Sequence, residues 1–270
     1  MLIKRDMVNA IRTPLKIGAL IFVAIFQGLL TASVFGGVGA PNFSLNWADN
    51  LQIMQNLIGL AFLISTDVFM KLGFGQILQI PTRLPLYLRE IQNHMYSASA
   101  YYLSICIASF LLTWFYPVIL GFIVFYTLDL KAHSFANMLE FTFILWLMGL
   151  AGCYTGILFS TIFVTTDSGT QVLTVIFQAF NVGAGLYANL NRQHTNWFVY
   201  YIQFLSPPRY ACELLMRRDL ANNNPYITEA ILDLIGYRWT AETCYWALIA
   251  YTVFVFMLGW LILRFKARKY

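Results

Sequence analysis

The feature that most constrains the fold is a series of apolar runs, each about as long as a lipid bilayer is thick. The first of them, residues 17–36, reads "IGALIFVAIFQGLLTASVFG" and contains no charged side chain. A helix needs about 20 apolar residues to cross the hydrocarbon core of a membrane. Within lipid, the backbone must satisfy its own hydrogen bonds, and the alternating pattern of a membrane β-barrel is absent from this chain. We therefore predict an all-α integral membrane protein.

Composition supports this prediction. Of the 270 residues, 59% are hydrophobic and only 11% are charged, whereas about a quarter of the residues of a soluble domain are charged. The formal net charge is +5. In so apolar a chain, basic residues serve chiefly to hold the cytoplasmic ends of the spans. A lipid bilayer is therefore an expected partner and nucleic acid is not.

The apolar runs predict six transmembrane helices, preceded by an amphipathic elbow helix at residues 2–14 that lies in the membrane interface. Ten Lys and Arg residues fall on the side of the N-terminus and six on the other side, which predicts that both termini are cytoplasmic. The pattern leaves open whether the membrane is the plasma membrane or that of an organelle. The six spans are placed near 17–36, 55–79, 100–128, 138–163, 169–190 and 242–264.

The segments predicted to face outward carry three features. Asn42 lies in an Asn-Phe-Ser glycosylation sequon. In the outer loop region 191–241, the apolar run from Trp197 to Leu205 is too short to span and predicts a re-entrant segment before the last helix. Cys212, within this region, and Cys244, just after it, flank its polar part, so that either a disulfide or two free thiols is compatible with the sequence.

Motifs for catalysis are missing from the sequence. It contains no GxxxxGK[ST] phosphate loop, no GxSxG elbow and no HExxH helix. The cysteines show no metal-binding spacing, and the three histidines fall in different loops. We therefore expect no catalytic residue, no metal site and no cofactor in this chain.

Several sequence blocks together resemble the transmembrane domain of G-subfamily (White-type) ABC transporters, within the type-2 ABC exporters. These blocks are Gln55-Asn56, Tyr87 to Tyr102, Asn189-Leu190 and Ser206 to Tyr210. The resemblance covers residues 1–270, in which no ATPase domain is found. It implies a second transmembrane half, identical or not, and an ABC ATPase domain, fused or separate, that binds ATP and Mg²⁺.

The resemblance also assigns a role to the charged segment after span two. In the family, this segment is the coupling region that rests on the ATPase, here residues 81–97, with Arg83, Tyr87, Arg89 and Glu90 as contacts. The family usually has Pro-x-Glu-Arg before this block, and Arg83 stands here in place of the glutamate. Either the polar contacts of the elbow are rebuilt, or this half couples weakly to ATP hydrolysis.

A transport path between spans two and five is implied in the same way, with Leu186 and Tyr187 on an outer plug. In span five, Thr174, Gln178 and Asn181 recur on one helical face. Polar groups in a membrane helix must face protein, water or cargo. Bonds between helices are the alternative to a substrate cavity.

Span two adds residues to the same predicted cavity. Asp67 and Lys71 stand at i and i+4, with the acid first, which favours an ion pair. Such a pair within a span is either functional or a neutralised structural pair. The cavity residues assigned to span two are Ser65, Thr66, Asp67, Phe69 and Met70.

The function predicted from these observations is the permease half of an ATP-driven exporter, which moves a lipid-like or amphiphilic small molecule. One alternative is a separate permease subunit of a bacterial-style exporter of glycans or other polymers. The alternative from another class is a structural or regulatory membrane subunit without a transport cycle.

Overall fold

The computed structural model describes residues 5, 14–36, 47–93, 95–128, 134–163, 165–187, 190, 197–220, 232–233 and 235–267. All regular secondary structure in these residues is helical, which confirms the all-α prediction. The elbow apart from Arg5, and Asn42 with its sequon, lie outside the described residues.

The long helices follow the chain order of the predicted spans. The helix α2 covers span two and the coupling region as far as Gln92, whereas α3 and α4 together cover span three. The helices are α1 Pro14–Val34, α2 Trp47–Gln92, α3 Ala98–Leu112, α4 Phe115–Thr127, α5 Phe135–Ile162, α6 Thr166–Gly183, α7 Trp197–Leu205, α8 Pro207–Leu220 and α9 Ala241–Ala267.

Five of the predicted spans correspond to helical segments that are long and apolar enough to cross a membrane. These segments are Ile17–Val34, Gln55–Pro81, Ala98–Thr127, Phe135–Ile162 and Ala241–Ala267. The predicted fifth span corresponds to α6, which has 18 residues. Its apolar sequence is interrupted by the polar side chains of Gln171, Thr174 and Gln178. The crossing by α6 therefore stays a prediction.

Prolines shape two of the spans in different ways. The helix α2 continues through Pro81 and Pro85 to Gln92, so the first part of the coupling region is continuous with span two. Each proline removes only the hydrogen bond to the residue four positions earlier, and the remaining bonds carry the helix onward. Span three, by contrast, is broken between Leu112 and Phe115. Pro117 lies just after this point and leaves the carbonyl of Thr113 without its helical donor.

The centre of the bundle is α5, which packs along α2 and is buried over most of its length. Glycines allow this close approach. A Cβ atom on Gly152 would lie 2.2 Å from the carbonyl oxygen of Phe69, and one on Gly156 would lie 2.1 Å from that of Gly73. Small residues four apart let two membrane helices approach to backbone contact. The Gly152–Gly156 pair therefore fixes α2, the helix that carries most of the candidate site residues.

The helices α7 and α8 form a short hairpin that packs against the end of α6. The hydroxyl of Ser206, between the two helices, donates to the carbonyl of Phe180 at 2.7 Å. Pro207 and Pro208 begin α8, where a missing N–H removes no helical bond. The nine residues of α7 confirm that this run is too short to span, and Trp197 and Tyr201 on it are exposed.

Buried polar contacts hold α8 in place. Glu213, fully buried, accepts from the side chain of Arg217 at 3.0 Å and from the backbone N–H of Trp239 at 2.7 Å. Burial raises the pKa of Glu213, and Arg217 opposes this effect.

Cys212 and Cys244 are both free buried thiols, so the disulfide is not formed. Cys244 lies beside Glu213, which is the neighbour of Cys212 on α8. Because neighbouring positions on a helix point about 100° apart, Cys212 points away from Cys244 and towards Ser65 and Tyr237.

Candidate substrate path and coupling end

The contact between α2 and α6 is aromatic. Phe69 is 1% exposed and its ring lies 4.6 Å from that of Phe177 and 6.1 Å from that of Phe180, measured between centroids. Met70 is partly buried and packs against the same core. Phe69 is thus enclosed within the bundle, and a molecule could reach it only if α2 and α6 separated.

The two hydroxyl residues on α2 bond to their own helix. Ser65 donates to the carbonyl of Ala61 at 2.6 Å, and Thr66 donates to that of Phe62 at 2.8 Å. Both side chains are buried. Hydroxyls that donate to the carbonyl four residues back satisfy themselves within a helix, so these two donors are already occupied.

Asp67 and Lys71 form the predicted ion pair, with 3.1 Å between the carboxylate and the ammonium. Tyr116 of α4 joins them, since its hydroxyl donates to Asp67 at 2.5 Å and accepts from Lys71 at 2.9 Å. Gln27 of α1 accepts from Lys71 at 3.5 Å. The pair is therefore neutralised and linked to two further helices.

The structure does not bring this ion pair together with Phe69. On an α-helix, positions 67 and 71 lie about 40° apart, whereas position 69 lies about 200° from position 67. Asp67 and Lys71 consequently face α1 and α4, while Phe69 faces α6. The span-two residues assigned to one cavity are thus divided between opposite faces of α2.

The outward face of α6 is polar. Gln171, Thr174 and Gln178 are exposed on it, together with Val175, which is 69% exposed. The hydroxyl of Thr174 donates to the carbonyl of Thr170 at 2.7 Å. Asn181, predicted to share this face, is only 8% exposed. The exposed polar stripe therefore consists of Gln171, Thr174 and Gln178, and Asn181 lies inside the bundle.

The predicted plug is a turn that follows α6. Gly185 has φ = 101°, a left-handed conformation that favours glycine, and the hydroxyl of Tyr237 donates to the carbonyl of Ala184. Leu186 and Tyr187 are exposed on this turn, and the ring of Tyr187 meets that of Phe62 edge-on at 5.5 Å. The two residues thus lie beside the outer part of α2.

At the other end of α2, Glu90 ties the coupling region to the elbow. Arg5 lies 3.1 Å from the carboxylate of Glu90, and the hydroxyl of Tyr96 donates to the same carboxylate. The side chains of Arg5 and Glu90 are 42% and 18% exposed, so an ion pair of this kind contributes up to about 1 kcal/mol. Burial, and then the bond to Glu90, raise the pKa of Tyr96 to about 12.

A stack of three tyrosines lies behind this contact. The rings of Tyr87 and Tyr101 are nearly parallel with centroids 3.8 Å apart, and Tyr96 lies 6.3 Å from Tyr87 and 6.2 Å from Tyr101. Burial raises the pKa of Tyr87. Among the predicted coupling residues, Tyr87 is thus a packing residue and Arg89 is exposed. The side chain of Arg83 lies outside the described residues.

Sequence reasoning missed several of these residues. Tyr116, Gln27 and Arg5 join the two ionic clusters from segments distant in the chain, and no local pattern marks them. Tyr96 lies only six positions from Glu90, within the predicted coupling region, but its bond to Glu90 was not predicted. The glycines at 152 and 156, in contrast, have a spacing that indicates close helix packing and was readable from the sequence.

These features define a helical membrane domain with an ionic elbow contact at one end and a polar stripe on one helix. The sequence pattern of the ABC-2 type transporter family matches residues 1–217. The chain therefore belongs to the ABC-2 type transporter family, and the match confirms the resemblance read from the sequence.

Individual relatives agree with this assignment. The chain is 23% identical over 295 aligned residues to "ABC transporter G family member 1" of Dictyostelium discoideum, an alignment that covers 100% of this chain and 35% of the relative. It is 24% identical over 205 residues to "Protein brown" of Drosophila melanogaster, covering 72% of this chain and 29% of the relative. The chain thus spans about a third of the length of these relatives.

Proposed function

We propose that this chain is the membrane-spanning permease half of an ATP-driven exporter. It works with a second transmembrane half and with ABC ATPase domains that bind ATP and Mg²⁺. The cargo is a lipid-like or amphiphilic small molecule, which moves along the dimer axis between α2 and α6. Membership of the ABC-2 family supports the transport role.

One observation carries the choice of path, namely the polar stripe of Gln171, Thr174 and Gln178 on the outward face of α6. Intramembrane polar side chains face protein, water or cargo rather than lipid. In a single copy of the chain, nothing among the described residues covers this stripe. A second half that faces it would enclose a polar path, and the aromatic residues Phe69 and Phe177 would line the path when α2 and α6 separate.

The contacts at the Gln92 end of α2 support the proposed coupling of transport to ATP hydrolysis. Movement of an ATPase domain has to reach α2 through a rigid connection. The helix α2 runs without a break from the membrane to Gln92, and Glu90 joins its end to the elbow through Arg5 and to the start of α3 through Tyr96. Arg83 replaces the acid that the family usually has here, and the Glu90–Arg5 pair supplies an acid–base contact with the elbow.

Cross-linking in the assembled transporter tests the position of the stripe. A cysteine in place of Gln178 is expected to form a cross-link between the two halves, because it lies on the dimer axis. A cysteine in place of Phe254, which is 60% exposed on α9, faces lipid and serves as the matched control. The four native cysteines are buried and remain unreactive. Cross-linking at residue 254 but not at residue 178 would contradict the proposed axis.

Transport measurements test the role of the stripe. In vesicles with the ATPase domains present, Gln178→Leu should shift ATP-dependent transport towards the more apolar of two labelled amphiphiles. Loss of one hydrogen bond of about 0.6 kcal/mol corresponds to a change in preference of roughly threefold. Val175→Leu, on the same face, should leave the preference unchanged. An absence of ATP-dependent transport of any amphiphile would instead favour a structural subunit.

A further inference from the structure

A second opening in the bundle lies on the opposite side of α2 from the proposed path. It is a cavity of about 110 Å³ between α1, α2 and the break that separates α3 from α4. Its apolar walls include Ile17 and Leu20 of α1, with Leu112 and Phe115 beside the break. No residue of α6 lines it, so the cavity is independent of the polar stripe.

Two features of the chain keep this cavity open. Gly75 lines it, and a Cβ atom added there would meet no atom within 4 Å. The junction between α3 and α4 forms the opposite wall, where Leu112, Thr113 and Phe115 line the cavity. Because both features are encoded in the sequence, the cavity is a built property of the fold rather than a packing defect.

The polar lining of the cavity carries no net charge. Lys71 is one lining residue, and its ammonium is balanced by Asp67 at 3.1 Å. The hydroxyl of Thr113 donates to the carbonyl of Phe110 at 2.9 Å, which leaves the lone pairs of its oxygen to accept. The amide of Gln76 is engaged within the bundle, since its oxygen lies 3.5 Å from the hydroxyl of Ser109 and it also bonds to Cys153. Gln79, the remaining polar lining residue, donates to the carbonyl of Gly75 at 2.8 Å. A ligand here would meet the acceptor of Thr113 in a cavity without net charge, so an uncharged head that donates a hydrogen bond fits best.

We propose that this cavity binds the hydroxyl head of a long-chain alcohol held in the bilayer. The lining residues of α2 fall within the apolar segment Gln55–Pro81, at a depth where the available molecules are lipids. An apolar cavity of about 150 Å³ holds benzene, so a slightly smaller one holds a head group and its first carbons. The rest of the chain would lie along Leu111 and Phe115, which are 42% and 46% exposed.

Photolabelling tests this proposal without any need for transport. The assembled protein is placed in phosphatidylcholine nanodiscs without ATP, so that the result is independent of the proposed export. Three probes with the same hexadecyl chain, a diazirine and an alkyne are compared, and they carry an alcohol, a carboxylate or an amine head. The alcohol is expected to label the walls from α2 and α3 about tenfold more than either charged probe, which corresponds to about 1.4 kcal/mol.

Substitutions at two glycines distinguish labelling within the cavity from labelling of the lipid-exposed surface. Gly75→Leu fills the cavity without a steric clash and should abolish labelling of these walls. Gly18→Leu adds the same side chain at an exposed position of α1 that also has no atom within 4 Å, and labelling should persist. Thr113→Val removes the acceptor and should lower labelling even if Gly75→Leu fails to fold. Equal labelling by all three probes, labelling that survives Gly75→Leu, or no labelling at these walls would each overturn the proposal.

Discussion

The substitution Gly152→Ala tests the close contact between α5 and α2 on which the candidate site depends. The new methyl group would lie 2.2 Å from the carbonyl oxygen of Phe69 and 2.9 Å from its carbonyl carbon. An ordinary van der Waals contact begins near 3.4 Å, so the two helices would have to separate by roughly an ångström. A backbone carbonyl cannot rotate away as a flexible side chain can, and the strain must be taken up by the whole interface.

The magnitude follows from two opposing effects. Overpacking of a well-packed core costs about 1–3 kcal/mol, and the rigid neighbour places Gly152→Ala towards the upper end of that range. Replacement of glycine by alanine within a helix returns about 0.5–1 kcal/mol. We therefore expect a net loss of about 2 kcal/mol in the free energy of unfolding.

Unfolding in mixed micelles, followed by tryptophan fluorescence, measures this change. Gly156→Ala should behave in the same way, because its methyl group would lie 2.1 Å from the carbonyl oxygen of Gly73. Gly18→Ala is the matched control, since its added methyl meets open space, and it should gain about 0.5–1 kcal/mol. If Gly152→Ala were as stable as Gly18→Ala, the backbone contact between α2 and α5 would be refuted.

Two further predictions concern coupling and topology. Glu90→Ala should lower substrate-stimulated ATPase activity more than expression, with about 1.4 kcal/mol of coupling lost per tenfold decrease, and the exchange of Arg5→Glu with Glu90→Arg should restore part of it. Equal loss of activity and expression would indicate a role in folding instead. In intact cells, a cysteine at Leu45 should be labelled only from outside and one at Gln92 only from inside. Outside labelling of residue 92 would reverse the orientation inferred from the basic residues.

The features that the sequence predicted correctly are those set by neighbouring residues. Apolar runs of bilayer length determine the helices, and a spacing of four residues brings Asp67 and Lys71 together. The short run from Trp197 to Leu205 could not span, because its length alone excludes it. In each case, the geometry of one helix converts sequence spacing directly into position.

Only the tertiary structure decided which faces of these helices meet. Gln178 and Asn181 have the periodicity of one face, yet the packing of α6 exposes the first and buries the second. The sequence predicts Glu90 as a contact of the coupling region with the ATPase, but it gives no sign of the ion pair with Arg5, which is 85 positions away. Such contacts depend on how distant helices cross, and the crossing of α2 and α5 is set by the lack of side chains at Gly152 and Gly156. Helix formation and the separation of Phe69 from Asp67 and Lys71 around α2 are therefore local in this chain, whereas packing between helices decides that the aromatic face meets α6 and the ionic face meets α1 and α4.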